Sequence, residues 1–268
     1  MLKTLTLTTC LAMSCLSAAA QSTDTGDNLR AALLPGWQTA AGTHMAGLAL
    51  TLAPGWKTYW RSPGEAGLPP LFNWSGSVNV KSVRIHWPSP TVFEVNGMQS
   101  IGYHDAVLLP LEVTPRDASL PVQLHASIDL GICRDICLPA SLSFSTYLST
   151  TGADVPEITA ALALAPLSAS DAGVTSVSCA VEPIADGMRV TATLGLPRQG
   201  SRETVVFETG QPDIWVSGST ATRDSQDLIA TAEMVPPTGA PFALERSKIR
   251  LTVIGDHGSV EIIGCPAP

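Results

Sequence analysis

The sequence lacks a long apolar run beyond its first twenty residues. Pro, His and charged residues break every later candidate before it reaches eighteen consecutive apolar positions. A transmembrane helix needs about 20 such residues, so no membrane span is expected in the mature chain. Helical periodicity is also nearly absent between residues 28 and 150, which argues against a helical fold there.

The first twenty residues have the features of a secretory signal peptide. A single cation, Lys3, precedes an apolar stretch from residue 5 to 16, and three alanines then lead to Gln21. This order predicts cleavage after Ala20 and export to the periplasm. The alternatives are an uncleaved membrane anchor and a lipid attached at Cys15.

The sequence has no surplus of positive charge. Without residues 1–20 the chain keeps 14 basic and 23 acidic residues, a net charge of −9. Such a surface repels phosphate backbones, so nucleic acid is not expected as a partner.

Short runs with period-two alternation, separated by Gly and Pro, fill most of the remaining sequence. They predict an all-β fold with one β-sandwich over residues 28–150 and a second over residues 174–268. A short linker rich in Ala, Pro and Ser, residues 151–173, joins them and contains one short helix near residues 156–164. Trp215 lies in the second half and is expected to be a core residue.

The clearest strand runs from Val122 to Leu130, where apolar residues alternate with polar ones. A partner strand follows over residues 142–148, so residues 131–141 are predicted to be the connection of a hairpin. Cys133 and Cys137 both lie in this connection.

Four cysteines follow residue 20, and their spacing predicts two different roles. A bridge between Cys179 and Cys265 would close a loop of about 87 residues and stabilise the fold by about 4.6 kcal/mol. A bridge between Cys133 and Cys137 would close about five residues and contribute only about 2 kcal/mol. The first pair is therefore predicted to be a structural disulfide, and the second needs another explanation.

Spacing alone leaves the role of Cys133 and Cys137 open. The pair could take part in thiol-disulfide exchange with a partner protein, because two sulfurs lie close together in an exposed loop. It could equally form a small structural disulfide. Metal binding through the reduced thiols is a third alternative, although His86, His104 and His125 show no ligand spacing.

Three ordered motifs resemble one known family. They are PGWKTYWRSPGEAGLPP at 54–70, FEVNG at 93–97 running to Gly-Tyr at 102–103, and GICRDICLP at 131–139. Together they resemble the amino-terminal periplasmic domain of the thiol:disulfide interchange protein DsbD, in particular its ScsB-like branch, which is linked with copper tolerance. The resemblance covers roughly residues 30–150, and the second half is similar to the additional β domain of that branch.

The resemblance implies an immunoglobulin-like sandwich that carries electrons from a membrane-embedded reductase to periplasmic thioredoxin-fold proteins. It implies that Cys137 forms the mixed disulfide with a partner, either by attacking the partner's disulfide or by being attacked by the partner's thiolate. It also implies that Cys133 resolves this mixed disulfide. A cap is expected to shield this pair and to include Phe93, Glu94, Val95 and Gly97. Tyr59 and Trp60 match aromatic positions that flank the site. Val95 stands where the best-known members carry an aromatic residue.

The leading hypothesis is therefore a periplasmic protein-disulfide reductase that works without a cofactor or resident metal. Because no membrane or thioredoxin-like domain accompanies the sandwiches, its reductase and its thioredoxin-fold partners are expected to be separate proteins. The alternatives are a non-catalytic binding module with structural disulfides, and a copper-tolerance accessory protein that binds metal through the reduced pair.

Overall fold

The computed structural model describes residues 21–24, 27–95, 98–150 and 152–268. Apart from helix α1 (Pro156–Leu162) and a 3₁₀ turn (Arg246–Lys248), the regular elements of these residues are all strands. The all-β prediction is confirmed. The predicted signal peptide and the alternatives at Cys15 lie outside the described residues.

The amino-terminal half contains two mainly antiparallel sheets. Its strands are β1 (Gln21–Asp24), β2 (Leu29–Gln38), β3 (His44–Leu52), β4 (Lys57–Tyr59), β5 (Leu71–Asn73), β6 (Val80–Ile85), β7 (Thr91–Val95), β8 (Met98–His104), β9 (Ala106–Pro115), β10 (Val122–Cys133) and β11 (Cys137–Leu148). One sheet has the order β1-β2-β3-β9-β6. The other has the order β11-β10-β4-β8-β7, and β5 also pairs with β10.

Side chains from both of these sheets meet in one buried apolar cluster. Leu33, Leu48 and Leu111 of the first sheet are fully buried there, together with Leu124 and Ile128 of the second. In β10 the period-two alternation places every apolar residue from Val122 onward on this core side. The opposite face of β10 is thereby left for polar residues and for Cys133.

The hairpin of β10 and β11 is longer than the sequence predicted. The two strands stay in register up to the pair Cys133 and Cys137, so the connection is residues 134–136 and not residues 131–141. The apolar alternation continues through Ile132 on the core side, which favours the longer strand. Pro139 does not interrupt the pairing because β11 is the outer strand of its sheet, where a missing N–H is tolerated.

The segment predicted as a linker contains α1 and a short strand. Helix α1 begins at Pro156, a favourable residue for a first turn. Its Ile158 is fully buried and lies against Gly36 and Gly47, where a Cβ on either glycine would approach the Ile158 side chain to 3.3 and 3.0 Å. The helix is therefore packed on the first half of the chain.

The carboxyl-terminal half contains two further sheets. Its strands are β12 (Leu167–Ser168), β13 (Ser176–Pro183), β14 (Met188–Gly195), β15 (Glu203–Glu208), β16 (Trp215–Val216), β17 (Thr220–Asp224), β18 (Asp227–Val235), β19 (Arg250–Gly255) and β20 (Gly258–Ile263). The sheet orders are β12-β20-β19-β15 and β13-β14-β18-β16, with β17 also paired to β18. These sheets share a second buried cluster.

Trp215 is not the core residue that the sequence predicted. It lies on the two-residue outer strand β16, and 54% of it is exposed. An outer strand has a paired strand on one side only. The Trp215 side chain lines a cleft between the two halves. The two halves also share apolar contacts, because Val206 and Ile254 belong to the buried cluster of the first half.

No helix within the described ranges has the length and apolar character needed to cross a membrane. Whether the two sheet pairs form separate immunoglobulin-like domains with the boundaries given above stays a prediction.

Candidate active site

The two cysteines of interest are register partners at the end of the β10–β11 hairpin. Their Cα atoms lie 4.1 Å apart and their sulfurs form a disulfide. The backbone N–H of Arg134 donates to the carbonyl of Ile136, 3.1 Å away, which closes the turn between them. The backbone pairing of the hairpin thus brings the thiols within bonding reach.

The two sulfur-bearing residues differ strongly in exposure. Cys133 is only 2% exposed, whereas Cys137 is exposed on the outer strand. A thiolate must approach the disulfide in line with the S–S bond, and exchange depends on access to the attacked sulfur. Cys137 is therefore the more accessible of the two residues to an attacking thiolate.

Neighbouring strands contribute the other side chains of this face. Cys133 is the register partner of Lys57 in β4, and Lys57 is the register partner of His104 in β8. Since side chains alternate along a strand, Tyr59 and Gly131 lie on this same face. Thr58 and Trp60 point to the core side, and both are almost fully buried.

Tyr59 makes a direct polar contact with the disulfide. Its hydroxyl donates a hydrogen bond to the sulfur of Cys133 at 2.9 Å and lies 3.5 Å from the sulfur of Cys137. The ring is 3% exposed, and burial raises the pKa of the phenol. Tyr59 therefore stays protonated at neutral pH and can donate to the thiolate that forms when the bridge opens.

Two glycines make room for the Tyr59 ring. A Cβ on Gly131 would lie 3.3 Å from Cε2 of Tyr59, and a Cβ on Gly67 would lie 2.9 Å from Cδ1. Leu68 covers the same place, because its Cδ1 would be 3.2 Å from the Gly131 Cβ. The Gly-rich loop after β4 therefore packs directly on the residue that touches the sulfurs.

Phe93 contacts Lys57, the register partner of Cys133. The Lys57 ammonium lies 4.9 Å from the centre of the Phe93 ring and donates to the Ser100 hydroxyl at 3.0 Å. The His104 ring meets Phe93 edge-on, with centres 6.1 Å apart. Burial lowers the pKa of the Lys57 amino group. A cation thus bridges the cap strand β7 and the strand next to Cys133.

The remaining cap residues are placed only in part. Glu94 pairs with Gln99 and is exposed toward the cleft that Trp215 lines. Val95 is the last residue of β7, and Gly97 lies outside the described residues. Shielding of the thiols by this segment stays a prediction.

Trp60 is placed in the core and not against the sulfurs. It is fully buried, and the Arg61 guanidinium lies 4.2 Å from the centre of its ring. Of the two aromatic residues predicted to flank the site, the structure brings only Tyr59 into contact with it.

Arg134, next to Cys133 in sequence, contacts Asp135 and Trp56. Its Nε donates to Asp135 at 3.0 Å, and its guanidinium lies 5.6 Å from the centre of the Trp56 ring. Each charge of this adjacent pair thus offsets the other.

Cys179 and Cys265 form the second disulfide, in the buried cluster of the carboxyl-terminal half. Their Cα atoms lie 5.4 Å apart, and both residues are at most 1% exposed. In the part of the chain that the structure describes, no three His, Cys, Asp or Glu side chains are grouped as they would be to hold a metal ion.

Sequence reasoning missed Lys57 and Gly131 as site residues, and it considered His104 only to set it aside. A usable signal existed for two of them, because Lys57 stands two positions before Tyr59 and Gly131 two positions before Cys133. Period two places each pair on one face of a strand. His104 could not be found this way, because its position depends on the pairing of β8 with β4.

Comparison with known proteins agrees with this arrangement. Residues 30–149 match the family model described as "Thiol:disulfide interchange protein DsbD, N-terminal". This segment, called the DsbD domain below, is similar to a DsbD amino-terminal domain. The resemblance that the three motifs indicated over residues 30–150 is thereby confirmed, and the DsbD domain contains both sulfurs of the exposed bridge together with Tyr59.

A solved structure extends the similarity beyond the DsbD domain. The crystal structure of the N-terminal periplasmic domain of ScsB from Proteus mirabilis is 22% identical, with a TM-score of 0.70. The alignment covers 93% of this chain and 98% of that one, so the same fold includes the carboxyl-terminal half. No curated protein matches the chain.

Proposed function

We propose that this chain is a periplasmic thiol-disulfide exchange protein that relays electrons through Cys133 and Cys137. In this proposal a separate membrane reductase supplies the electrons and thioredoxin-fold proteins receive them. The observation that carries the proposal is the asymmetry of the bridge, with an exposed Cys137 and a buried Cys133 that accepts a hydrogen bond from Tyr59.

In the first half of the cycle the reductase reduces the Cys133–Cys137 disulfide. A thiolate of the reductase attacks the sulfur of Cys137, a new S–S bond forms, and the Cys133–Cys137 bond breaks. The electron pair leaves on Cys133 as a thiolate, which the Tyr59 hydroxyl stabilises by its hydrogen bond. A second thiolate of the reductase then attacks the mixed disulfide, so that the reductase is oxidised and Cys137 is released as a thiolate.

The second half passes the electrons on. The Cys137 thiolate attacks the disulfide of a thioredoxin-fold partner, and one partner sulfur leaves as a thiolate. Cys133 then attacks the mixed disulfide at Cys137, which restores the bridge and releases the partner as a dithiol. Both halves need the outer position of Cys137 and the proximity of Cys133, whose Cα lies 4.1 Å from that of Cys137.

The test is to trap the mixed disulfide in cells. With Cys133→Ala the resolving thiol is absent, so a covalent adduct with a thioredoxin-fold protein should accumulate through Cys137. The matched control is Cys137→Ala, which should give no adduct because the remaining thiol is buried. Absence of the adduct from Cys133→Ala, or equal adducts from both variants, would overturn the proposal.

A redox titration provides the second test. A relay pair must be reducible by its partners, whereas a structural disulfide typically has a potential below about −300 mV. A potential well below that value for Cys133 and Cys137 would identify the bridge as structural and the chain as a non-catalytic module.

A further inference from the structure

The carboxyl-terminal half holds the loop that packs on Tyr59. This loop, residues 61–68, follows β4 directly and is here named the brace loop. Backbone hydrogen bonds join the start of this loop to β8, because the N–H of Trp60 donates to the Ile101 carbonyl at 3.0 Å and the N–H of Ile101 donates to the Pro63 carbonyl at 2.8 Å. Gly67 of the loop packs on the Tyr59 ring, so the side-chain contacts that hold the brace loop also affect the position of this ring.

One end of the brace loop is fixed by Arg61. Its Nε and Nη2 donate to the two carboxylate oxygens of Glu208, both at 3.0 Å, and Nη2 also donates to Glu261 at 2.7 Å. The side chain of Arg61 is 15% exposed and those of the glutamates 20% and 29%, so water screens the contact only in part. A two-pronged arginine–carboxylate contact fixes geometry as well as charge.

The middle of the loop is fixed by Glu65. Its carboxylate accepts a hydrogen bond from the backbone N–H of Gly218 at 3.0 Å. Beyond it, Gly67 lies against Tyr59 and Leu68 lies against Gly131, as described above. The brace loop thus has the carboxyl-terminal half on one side and the Tyr59 ring on the other.

We infer that Arg61 is a positioning residue for the exchange reaction, through which the carboxyl-terminal half holds the Tyr59 hydroxyl against Cys133. This inference rests on the proposed function, and it adds that the redox site is completed by contacts from outside the DsbD domain. Loss of Arg61 removes the two-pronged contact that holds the brace loop against the carboxyl-terminal half, so the loop packs less firmly on Tyr59 and the tyrosine hydrogen bond to the departing thiolate is made less often.

The experiment is a double-mutant cycle on the purified, oxidised full chain. The measured quantity is the rate at which dithiothreitol reduces the Cys133–Cys137 bridge. Tyr59→Phe removes the hydrogen bond and should slow the reaction about tenfold. Arg61→Ala should slow it severalfold, and the double variant should be no slower than Tyr59→Phe alone, because both changes remove the same interaction.

The matched control is Arg189→Ala. Arg189 also forms an ion pair with a glutamate of the carboxyl-terminal half, Glu233, at 2.8 Å, but it lies in β14 and is not a partner of Arg61 or Glu65. This variant should react at the rate of the unmodified chain. Arg61→Lys keeps the charge without the two-pronged contact and should recover part of the rate. If Arg61→Ala does not fold, Glu208→Gln takes its place in the cycle.

Two results would overturn the inference. One is a double variant slowed by the product of the two single effects, which would show that Arg61 acts independently of Tyr59. The other is equal slowing by Arg189→Ala. Since dithiothreitol replaces the partner, this outcome is independent of the trapping experiment, which tests the relay itself.

Discussion

The hydroxyl of Tyr59 lies 2.9 Å from the sulfur of Cys133, across 74 residues of sequence, and donates to it. The contact joins the end of a three-residue strand to the buried member of a disulfide whose other member is exposed. The hydroxyl lies closer to the Cys133 sulfur than to that of Cys137, which is 3.5 Å away, so in the proposed exchange it favours Cys133 as the sulfur that departs.

Replacement of Tyr59 by phenylalanine is expected to slow reduction of the bridge about tenfold. A hydrogen bond to a charged group contributes about 1.5–3 kcal/mol, and 1.4 kcal/mol corresponds to a factor of ten in rate. Stopped-flow reduction by dithiothreitol measures the change. Tyr147→Phe is the control, since Tyr147 is 65% exposed on β11 and should react like the unmodified chain. An unchanged rate for Tyr59→Phe would contradict the role of this contact.

Ile136→Asp is expected to slow exchange with protein partners and to leave exchange with dithiothreitol nearly unchanged. Ile136 lies in the turn beside Cys137 and is 65% exposed, so a partner that reaches Cys137 must cover it. The new carboxylate would be buried in the contact with the partner without an opposite charge beside it, and burying an unpaired charge costs free energy. Rates with a thioredoxin-fold protein and with dithiothreitol are compared. Ile263→Asp, at a site 60% exposed in the other half, serves as control. Equal slowing with both reductants would argue against a docking role.

The buried ion pair of Glu203 and Arg223 is expected to be important for stability. The two side chains are 4% and 10% exposed and share contacts at 2.7 Å. Burial alone would raise the pKa of Glu203. The hydrogen bonds from Arg223 and from the Gln199 backbone outweigh burial, and the pKa lies below its usual value. Arg223→Ala leaves a buried carboxylate unpaired and should reduce the free energy of unfolding by about 3–5 kcal/mol in urea titrations.

The control for this pair is the exposed contact between Arg189 and Glu233. Arg189→Ala should leave the urea midpoint almost unchanged, because water screens the charges. If both variants lose similar stability, burial is not the reason for the effect of Arg223.

His44 is expected to make the fold less stable as the pH falls below about 6.5. It is 1% exposed, and burial lowers its pKa, although a hydrogen bond to the Ser149 backbone opposes this. The unfolded chain then binds the proton more readily than the folded one, so stability is full above the unfolded pKa of about 6.5 and declines below it, down to the folded pKa. Urea titrations at pH 7.5 and 5.5 measure the difference.

His44→Gln should reduce this pH dependence, whereas His257→Gln, at an exposed position, should retain it. A pH dependence that is the same in all three proteins would show that His44 does not cause it.

The two disulfides are expected to differ in their effect on stability. Replacing both Cys179 and Cys265 by alanine removes a constraint on a long loop and should cost about 4.6 kcal/mol, against about 2 kcal/mol for Cys133 and Cys137. Urea titrations of the two double variants measure this. An equal or larger loss for the second variant would assign the exposed bridge a structural role.

The sequence predicted the parts of the fold that depend on local alternation. Strands form within residues 174–268 as predicted, and the helix near residue 156 is present. Strand β17 has no local signal, because four of its five residues are polar and only pairing with β18 reveals it. The strands of the β10–β11 hairpin were predicted to be too short, because Pro139 suggests a loop. That a strand tolerates this proline becomes clear only when β11 is known to be an outer strand.

The site could be predicted where sequence neighbours share one strand face, and not where it depends on contacts between distant segments. Cys133, Cys137 and Tyr59 were identified from motifs, and the structure brings them together. The contacts of Arg61 with Glu208 and Glu261 join residues at least 147 positions apart, and no local pattern indicates them. Trp215 was assigned to the core because tryptophan is large and apolar. The residue type does not indicate that Trp215 lies on an outer strand.

The register partnership of Cys133 and Cys137 has a consequence for repeated turnover. The β10–β11 ladder positions both residues through backbone pairing, which continues from Val122 to the pair itself and does not require the S–S bond. The oxidised and reduced chains can therefore share one backbone conformation, and little energy is lost to refolding in each cycle. In the relay proposed above, the electron donor and the electron acceptor would therefore meet the same surface of this chain, and differences in their own shapes would have to distinguish them.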